Sequence, residues 1–395
     1  MNKYPSILLL CFSLFGCAYN HLSVCDEFTK ESIISKEVWC KEIKLKGWET
    51  AEGAVFSKNN NIFIAGSSQR PGLYGVSSEA LLLSLSEYGE KKWINTFTFH
   101  FDNPDNGETT ANGLALLNNG KLILTGRTRD ENGIHEGWIA LFEPSGDIVS
   151  KLTTAGGRWF EDITVTNGSD FVAVGALQAG GIITKYSDSF HILWSMEFPP
   201  IRWSSVAITK EGEIVVAGND SLKGLVVMSL SSSGKKQWRK FYGKTSVDGA
   251  QIIKEAPKGT FIISAQTEDR KLWLLNINSK GEVLWENKRG VDAWPNDLLS
   301  IENYGYIVCA VELEKKRRVR KSNAWVVHFN ENGKMLASKY YGGTGASSCR
   351  SIAGTPEKLF ITGQTIDTSV KSRNFAWGNE SFSTLWVIRE NANSE

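Results

Sequence analysis

The sequence predicts an all-β fold, a seven-bladed β-propeller of four-stranded antiparallel blades over residues 37–391. The main observation is a repeat in which an apolar run ends at a small residue, at intervals of 43 to 60 residues. In copies one to seven that residue is Gly66, Gly126, Gly175, Gly218, Ala265, Ala310 and Gly363. Because one copy cannot bury both faces of its own sheet, we expect the seven copies to stack into a single domain.

Each copy contains four short runs of β-branched and aromatic residues between Gly-containing turns, which is typical of antiparallel strands. In copy two the first three runs are Leu114–Leu116, Leu122–Gly126 and Trp138–Leu141. The fourth run often begins at a Trp, as at Trp194 and Trp238. No segment of the repeat shows helical spacing of its apolar residues.

The last copy ends one strand early, after Trp386–Arg389. An additional strand-like run, Val38–Ile43, precedes copy one and matches the fourth strand Trp238–Tyr242. We therefore expect the N-terminal strand to complete the last blade and close the ring. Such closure removes the exposed sheet edges that otherwise pair with other chains.

The N-terminus has the pattern of an export signal, with Lys3 followed by the apolar run Ile7–Phe15. The next residues, Leu14–Cys17, resemble the lipobox of bacterial lipoproteins. That resemblance implies a signal peptide over 1–16, acyl chains such as palmitate on Cys17, and a lipidated tether over 17–36. Ala18 in place of Asp implies sorting to the outer membrane, facing either the periplasm or the outside. The alternative is an ordinary cleaved signal in which Cys17 has no such role.

The charge balance argues against nucleic acid as a partner. The chain carries 44 basic and 43 acidic side chains, and loss of Lys3 with the signal would leave them equal. A general nucleic-acid binder needs a basic surface.

Four cysteines follow Cys17, and they permit two disulfides in three connectivities in an oxidising compartment. The pair Cys25–Cys40 is our first expectation, because it would attach the tether to the first strand. Free buried thiols are the alternative. The absence of a Cys-x-x-Cys pair in the sequence disfavours a zinc site.

The segments Ser233–Trp238 and Ser279–Trp285 resemble the Trp-containing repeats of the pyrroloquinoline-quinone-type propeller superfamily. The resemblance implies the fold over residues 37–389 and membership of a non-catalytic branch. The quinone dehydrogenases of that superfamily are a poor match, because no adjacent Cys-Cys pair occurs and no cofactor ligands can be placed. We therefore expect no cofactor.

The copies differ most on one rim, which we call the loop rim. It carries the connections between second and third strands and those between successive copies. The second–third connections vary from 6 to 22 residues, whereas the turns on the opposite rim have nearly constant lengths. Variable loops on a rigid scaffold usually carry binding, so we expect function on this rim.

The candidate binding residues on the loop rim form three groups, each with a plain structural alternative. The first is a Trp set assigned to one place in four copies, for stacking on sugars or gripping a peptide; the alternative is wedging between blades. The second is a basic run in copy six, for phosphates or an acidic partner; the alternative is a solvated loop. The third is a pair of aromatics in the last loop. In that order, the residues of the three groups are Trp48, Trp159, Trp203 and Trp294; Lys315, Lys316, Arg317, Arg318, Arg320 and Lys321; and Phe375 and Trp377.

An acidic cluster in the first two loops, which includes Asp102 and Asp105, suggests a metal site but fails the calcium-loop spacing because of Pro104. We therefore expect no metal. Asp162 and Asp297, each three residues after a Trp, are candidate paired carboxylates for an enzyme, or else acceptors for backbone donors.

Three functions follow from these patterns. The first is a non-enzymatic, membrane-anchored scaffold that binds envelope proteins through the loop rim, since no nucleophile or phosphate-loop motif occurs. The second is a glycan-binding propeller that uses the Trp set. The third is a hydrolase or lyase with carboxylates at the channel mouth.

Overall fold

Alternation of apolar residues between Gly turns folds each sequence copy into antiparallel strands. The computed structural model describes residues 23–31, 37–44, 48–72, 75–99, 108–129, 134–154, 157–244, 251–290, 292–316, 319–343, 345–366 and 383–391. These ranges contain one α-helix, α1 (Val24–Glu31), a short 3₁₀ turn at Pro257–Gly259, and 28 β-strands. No helix within them has the length and apolar character needed to cross a bilayer.

The strands of each copy follow one another along the chain. Copy one comprises β2 (Trp48–Phe56), β3 (Asn61–Gly72), β4 (Gly75–Ser86) and β5 (Lys91–Phe97). Copy two comprises β6 (Glu108–Leu116), β7 (Leu122–Arg129), β8 (His135–Phe142) and β9 (Ile148–Thr154). Copy three comprises β10 (Arg158–Val165), β11 (Phe171–Leu177), β12 (Gly180–Tyr186) and β13 (Ile192–Phe198). Copy four comprises β14 (Ile201–Ile208), β15 (Ile214–Asp220), β16 (Gly224–Leu230) and β17 (Lys236–Gly243).

The remaining copies have the same arrangement. Copy five comprises β18 (Ile252–Ala256), β19 (Thr260–Gln266), β20 (Leu272–Ile277) and β21 (Val283–Arg289). Copy six comprises β22 (Ala293–Ile301), β23 (Gly305–Lys316), β24 (Val319–Phe329) and β25 (Met335–Tyr341). Copy seven supplies β26 (Ala346–Thr355), β27 (Lys358–Ile366) and β28 (Ser383–Glu390).

The strands pair as four-stranded antiparallel groups. Copies three to six each form a separate sheet, while copies one and two are joined by a single parallel pair between Ser78 and Glu108. The last sheet has the order β1-β28-β27-β26, in which β1 (Trp39–Ile43) runs antiparallel to β28. Its register pairs Trp39 with Arg389 and Ile43 with Leu385. The first strand of the described chain therefore lies beside the last.

The core lies between neighbouring copies. The middle strands bury both faces; Leu81, Leu82 and Leu83 of β4, for example, are all inaccessible to solvent. One hydrophobic cluster joins Val172 of copy three to Val216 of copy four, and other clusters join the other neighbours. Since full burial of each such side chain contributes about 1.5–3 kcal/mol, stacking of copies is the main source of stability.

At five of the boundaries between copies, a tryptophan of an outermost strand attaches one copy to the next. Each indole N–H donates to a backbone carbonyl in the third–fourth turn of the following copy, and each ring lies against the Gly of that turn. The bonds are Trp39 to Glu87 (3.0 Å), Trp93 to Pro144 (3.1 Å), Trp194 to Ser232 (3.4 Å), Trp238 to Ser279 (2.9 Å) and Trp285 to Glu331 (3.1 Å). Trp39 of β1 thus contacts copy one in the way that Trp238 contacts copy five.

Two disulfides connect elements that are distant in sequence. Cys25 of α1 is bonded to Cys40 of β1, and Cys309 of β23 is bonded to Cys349 of β26. Within the expected tether, Val24–Glu31 is a helix. Val24 and Phe28 are buried in a cluster with Tyr341 and Trp386. This part of the N-terminal segment therefore packs against the sheets.

The expectation of irregular long connections on the loop rim is wrong for copies one and six. There the additional residues lengthen two strands into paired hairpins, with Gly72 opposite Gly75 and Lys316 opposite Val319. The strands continue because alternating pairing satisfies the backbone groups that an irregular loop would leave to solvent. We call these two extensions the hairpin arms.

Candidate functional site

A β-bulge interrupts the first strand in six of the seven copies. In each, one residue lies between two successive pairs with the second strand, for example Glu161 between Phe160 and Asp162. Gln251, directly before β18, holds the corresponding position in copy five. A bulge leaves one residue out of the ladder and redirects its side chain. The seven residues, which we call the bulge set, are all polar: Glu52, Asn112, Glu161, Ser204, Gln251, Asn296 and Arg350.

Six members of the bulge set line one cavity of about 960 Å³, which we call the mouth cavity. Residues from the first strands of copies one to six contribute to its wall, so it lies where these innermost strands converge on the loop-rim side. Arg350, the seventh member, lies 3.8 Å from Glu52 as an ion pair. The bulges thus place a polar lining around the inner face of the fold.

Members of the bulge set also bind the neighbouring copy. Asn112 donates to the Phe160 carbonyl at 2.9 Å, and Ser204 donates to the Gln251 carbonyl at 2.7 Å. Asn296 likewise donates to the Cys349 carbonyl. These bonds give backbone carbonyls at the start of the next copy's first strand a donor, so part of the polar lining is structural.

The two carboxylates proposed as a catalytic pair line the mouth cavity, and each accepts three hydrogen bonds from neighbouring strands. Asp162 accepts hydrogen bonds from Ser205 Oγ at 2.8 Å, from the Val206 amide at 3.0 Å and from the Ile163 amide at 2.8 Å. Burial raises its pKa, and the bonds oppose that change.

Asp297 repeats this arrangement in copy six. It accepts from Ser351 Oγ at 2.6 Å and from the Ile352 and Leu298 amides at 3.0 and 2.8 Å. Both carboxylates therefore connect adjacent copies, which matches the backbone-acceptor alternative for these residues.

Glu161 is a second carboxylate of the mouth cavity whose surroundings shift its pKa. Burial raises the pKa of this carboxyl, while the hydrogen bond from Trp159 and the charge of Arg127 act in the opposite direction. Trp159 Nε1 lies 2.7 Å from Glu161 Oε1, and Asn112 Nδ2 lies 3.3 Å from Oε2. Both oxygens therefore already accept a hydrogen bond, which leaves this group better placed to orient Trp159 than to attack a substrate.

Cations and amides complete the wall of the mouth cavity. Arg127, Arg202 and Lys254 line it, together with Gln178 and Asn219. The wall therefore combines both charges with many neutral donors and acceptors, which suits a polar ligand or the backbone of an extended segment better than an apolar molecule.

The structure separates the predicted Trp set. Trp159 and Trp294 hold equivalent positions, opposite the residue after Gly175 and Ala310. Trp203 instead lies directly opposite Gly218 and is buried between copies three and four, in the wall of the mouth cavity, so the expectation that it shares the position of Trp159 and Trp294 is wrong. A shift of one residue along a strand turns the side chain to the other face.

The remaining Trp and the other predicted groups have different positions. Trp48 lies opposite Gln69 and is 40% exposed. In the basic run, Lys315 and Lys316 end β23, and Arg320 and Lys321 lie in β24, at the end of a hairpin arm. Arg317, Arg318, Phe375, Trp377 and Cys17 lie outside the described residues.

The bulge set is the feature that sequence reasoning missed, although a signal was present. Fourteen residues separate Glu52 from Gly66, Asn112 from Gly126 and Asn296 from Ala310, and each position in the series holds a polar residue. In copy seven the interval from Arg350 to Gly363 is shorter by one, because the intervening turn is shorter.

Comparison with known proteins identifies the fold class. No protein-family model matches the chain, and no curated protein matches it. Among solved structures, virginiamycin B lyase from Staphylococcus aureus is similar with a TM-score of 0.56 at 12% identity, over 90% of this chain and 100% of the other. The WD40 domain of Toxoplasma gondii coronin gives 0.52 at 9% identity, over 92% and 88%. The Dos1 propeller gives 0.51 at 11%, over 88% and 94%. At such low identity the likeness concerns architecture, and with the four-stranded antiparallel sheets it shows that this chain has a β-propeller fold.

Proposed function

We propose that the protein is a closed seven-bladed propeller, tethered to the outer membrane through Cys17, that binds an envelope protein through its loop rim without catalysing a reaction. Closure is supported by the pairing of β1 with β28 and by the contact of Trp39 with copy one. The lipobox-like segment Leu14–Cys17 supports the anchor. The short Trp motifs support a place in the non-catalytic branch of the quinone-type superfamily.

One observation carries the binding role: the mouth cavity and both hairpin arms lie on the same rim. The ends of β3 and β23 extend beyond the strands shared by all copies, and the cavity opens between the starts of the first strands. Projecting strands around a polar cavity provide the varied surface with which a propeller contacts a partner. The opposite rim carries short turns of nearly uniform length.

The hairpin arm of copy six favours an acidic partner segment. Six of the seven residues from Lys315 to Lys321 are basic, and four of these six lie in the paired strands. A cluster of one charge attracts a partner of the opposite charge and raises the association rate, while short-range contacts in the mouth cavity would set affinity.

The hydrogen bonds of the inner carboxylates support a non-enzymatic role. Asp162 and Asp297 line the mouth cavity, but each accepts three hydrogen bonds from neighbouring strands, which supports a structural role for these carboxylates over that of a catalytic base. The likeness to a lyase concerns a protein of 12% identity and carries no activity to this chain.

Site-specific photo-crosslinking in the native envelope tests the binding face. A photoreactive residue at Leu222, which is 78% exposed in the β15–β16 connection of the loop rim, should crosslink one defined partner. The matched position is Lys258 on the opposite rim, whose side chain is 85% exposed. Replacement of the six basic residues of 315–321 by Gln should reduce the Leu222 product at least about tenfold. Equal products from Leu222 and Lys258, or none at Leu222, would contradict the proposal.

The anchor has a separate test. Cys17→Ser should release the protein from membranes after cell fractionation, because several acyl chains supply about 0.8 kcal/mol per buried methylene. Retention of the Cys17→Ser variant in the membrane fraction would exclude the lipid anchor without affecting the binding proposal.

A further inference from the structure

A second, smaller pocket lies between copies six and seven on the loop-rim side. Its volume is about 180 Å³, roughly twelve times the ~15 Å³ that one water molecule needs. One wall contains the cross-strand pair Ser348–Gln364 of copy seven, and the other contains Trp294 paired with Val311 in copy six. Directly opposed residues share one face of a sheet, so each pair presents its side chains together.

Among the residues that the structure describes, three buried polar atoms of this pocket have no hydrogen-bond partner. They are Ser348 Oγ, Arg350 Nε and Gln364 Oε1. The Gln364 side chain is nine-tenths buried, at 7% exposure. Buried polar groups are nearly always hydrogen-bonded, and leaving one unpaired costs about 1–3 kcal/mol. Three such atoms around one cavity therefore indicate a site that a polar ligand completes.

The wall chemistry defines the ligand class. Arg350 is the one charged residue among the described residues of the lining; its Nη1 forms the ion pair with Glu52, while its Nε faces the pocket without a partner, so the ligand should present a single negative group to Nε. Gln364 Oε1 accepts a hydrogen bond, and Ser348 Oγ can donate or accept one, which matches hydroxyl groups. Trp294 and Val311 offer an apolar surface of the kind that sugar rings cover.

We propose that this pocket binds an acidic monosaccharide unit, a hexuronate, with its carboxylate on Arg350, hydroxyls on Ser348 and Gln364, and its ring against Trp294. The disulfide Cys309–Cys349 fixes the two walls, because Cys349 lies between Ser348 and Arg350 and Cys309 belongs to copy six. The pocket is therefore preorganised. This proposal is independent of protein binding at the loop rim.

Titration calorimetry with the full chain in detergent tests the site, with sodium glucuronate and galacturonate as probes. One or both should bind, and glucose should bind at least about tenfold more weakly because it lacks the charge that Arg350 pairs. Succinate, which carries carboxylates but no ring, should also bind at least about tenfold more weakly. A uronate oligosaccharide that binds more tightly than the monosaccharide would identify a polymer as the source of the unit.

Variants localise the binding. Arg350→Gln should weaken glucuronate binding about tenfold or more, and Ser348→Ala and Gln364→Met about threefold to tenfold each. Arg289→Gln, at an exposed arginine outside the pocket, should leave affinity unchanged. Circular dichroism melts confirm that each variant folds. Absence of uronate binding at 10 mM, roughly the weakest affinity worth detecting for such a ligand, would overturn the proposal. Equal binding of succinate, or unchanged affinity in the folded Ser348→Ala and Gln364→Met variants, would overturn it too.

Discussion

The Asp162 carboxylate accepts a hydrogen bond from the Ser205 hydroxyl at 2.8 Å across the boundary between copies three and four. The same contact recurs between Asp297 and Ser351, at 2.6 Å, across the boundary between copies six and seven. Each carboxylate also accepts backbone amides from both sides of its boundary. These aspartates therefore hold the innermost strands of adjacent copies at a set distance.

Asp297→Ala should destabilise the protein by about 3 kcal/mol or more, since it leaves the Ser351 hydroxyl and two buried amides without an acceptor. Urea unfolding followed by Trp fluorescence measures the change. Asp188→Ala, at an exposed turn, is the control and should shift stability by less than about 0.5 kcal/mol. Comparable losses in the two variants would contradict the structural role of Asp297.

The fit of Trp285 against Gly333 makes a second prediction. Gly333 has φ of +77°, and an added Cβ would lie 2.5 Å from Trp285 Cε3. Gly212 has φ of +85° with open space around its Cα. Gly212→Ala should therefore cost the backbone strain of about 1–2 kcal/mol, and Gly333→Ala clearly more. Thermal melts compare the stabilities of the two variants. Equal melting temperatures would mean that the Trp285 ring moves aside for the added methyl group without loss of stability.

Glu161 should make stability depend on pH. Burial raises the pKa of its carboxyl above the ordinary 4.5, so the folded state holds this proton more tightly than the unfolded state. The stability that the folded state gains from holding this proton is complete below about pH 4.5, the ordinary pKa. It is lost as the pH rises through the higher pKa of the folded state.

Glu161→Gln keeps an acceptor for Trp159 and removes this titration. Relative to the variant, the native chain should lose stability as pH rises from 4.5 towards neutrality, in melts recorded at intervals across that range. If the stability of the native chain minus that of Glu161→Gln stays constant or grows as the pH rises, the pKa of Glu161 is not raised in the folded state.

Trp39 tests the N-terminal strand. Its ring is 4% exposed and donates to the Glu87 carbonyl, whereas Trp48, nine residues later, is 40% exposed. Trp39→Ala should cost about 3–5 kcal/mol, the range for buried aromatic residues, and Trp48→Ala less than about 1 kcal/mol. Chemical denaturation of both variants gives the comparison. A small loss for Trp39→Ala would mean that β1 contributes little to holding the molecule together.

Much of the architecture could be predicted from the sequence, because repeated strands leave periodic apolar runs and turn glycines. The strand of Val38–Ile43 was predicted from a missing partner for β28. The bulge set and the true place of Trp203 were not predicted. Both depend on a one-residue change of register within a strand, which the repeat of apolar runs along the sequence does not reveal. The hairpin arms were expected as loops, because charged residues obscure strand alternation at Lys315–Lys321.

Pairing of β1 with β28 has a consequence for how the molecule is made. Strand β1 cannot reach its paired position until β28 has been synthesised, some 340 residues later (Ile43 to Ser383). Contacts so remote in sequence slow folding, because the entropy of bringing distant chain segments together precedes any gain. Until that moment the edge of β28 stays open, and the new chain depends on protection from association with its own copies.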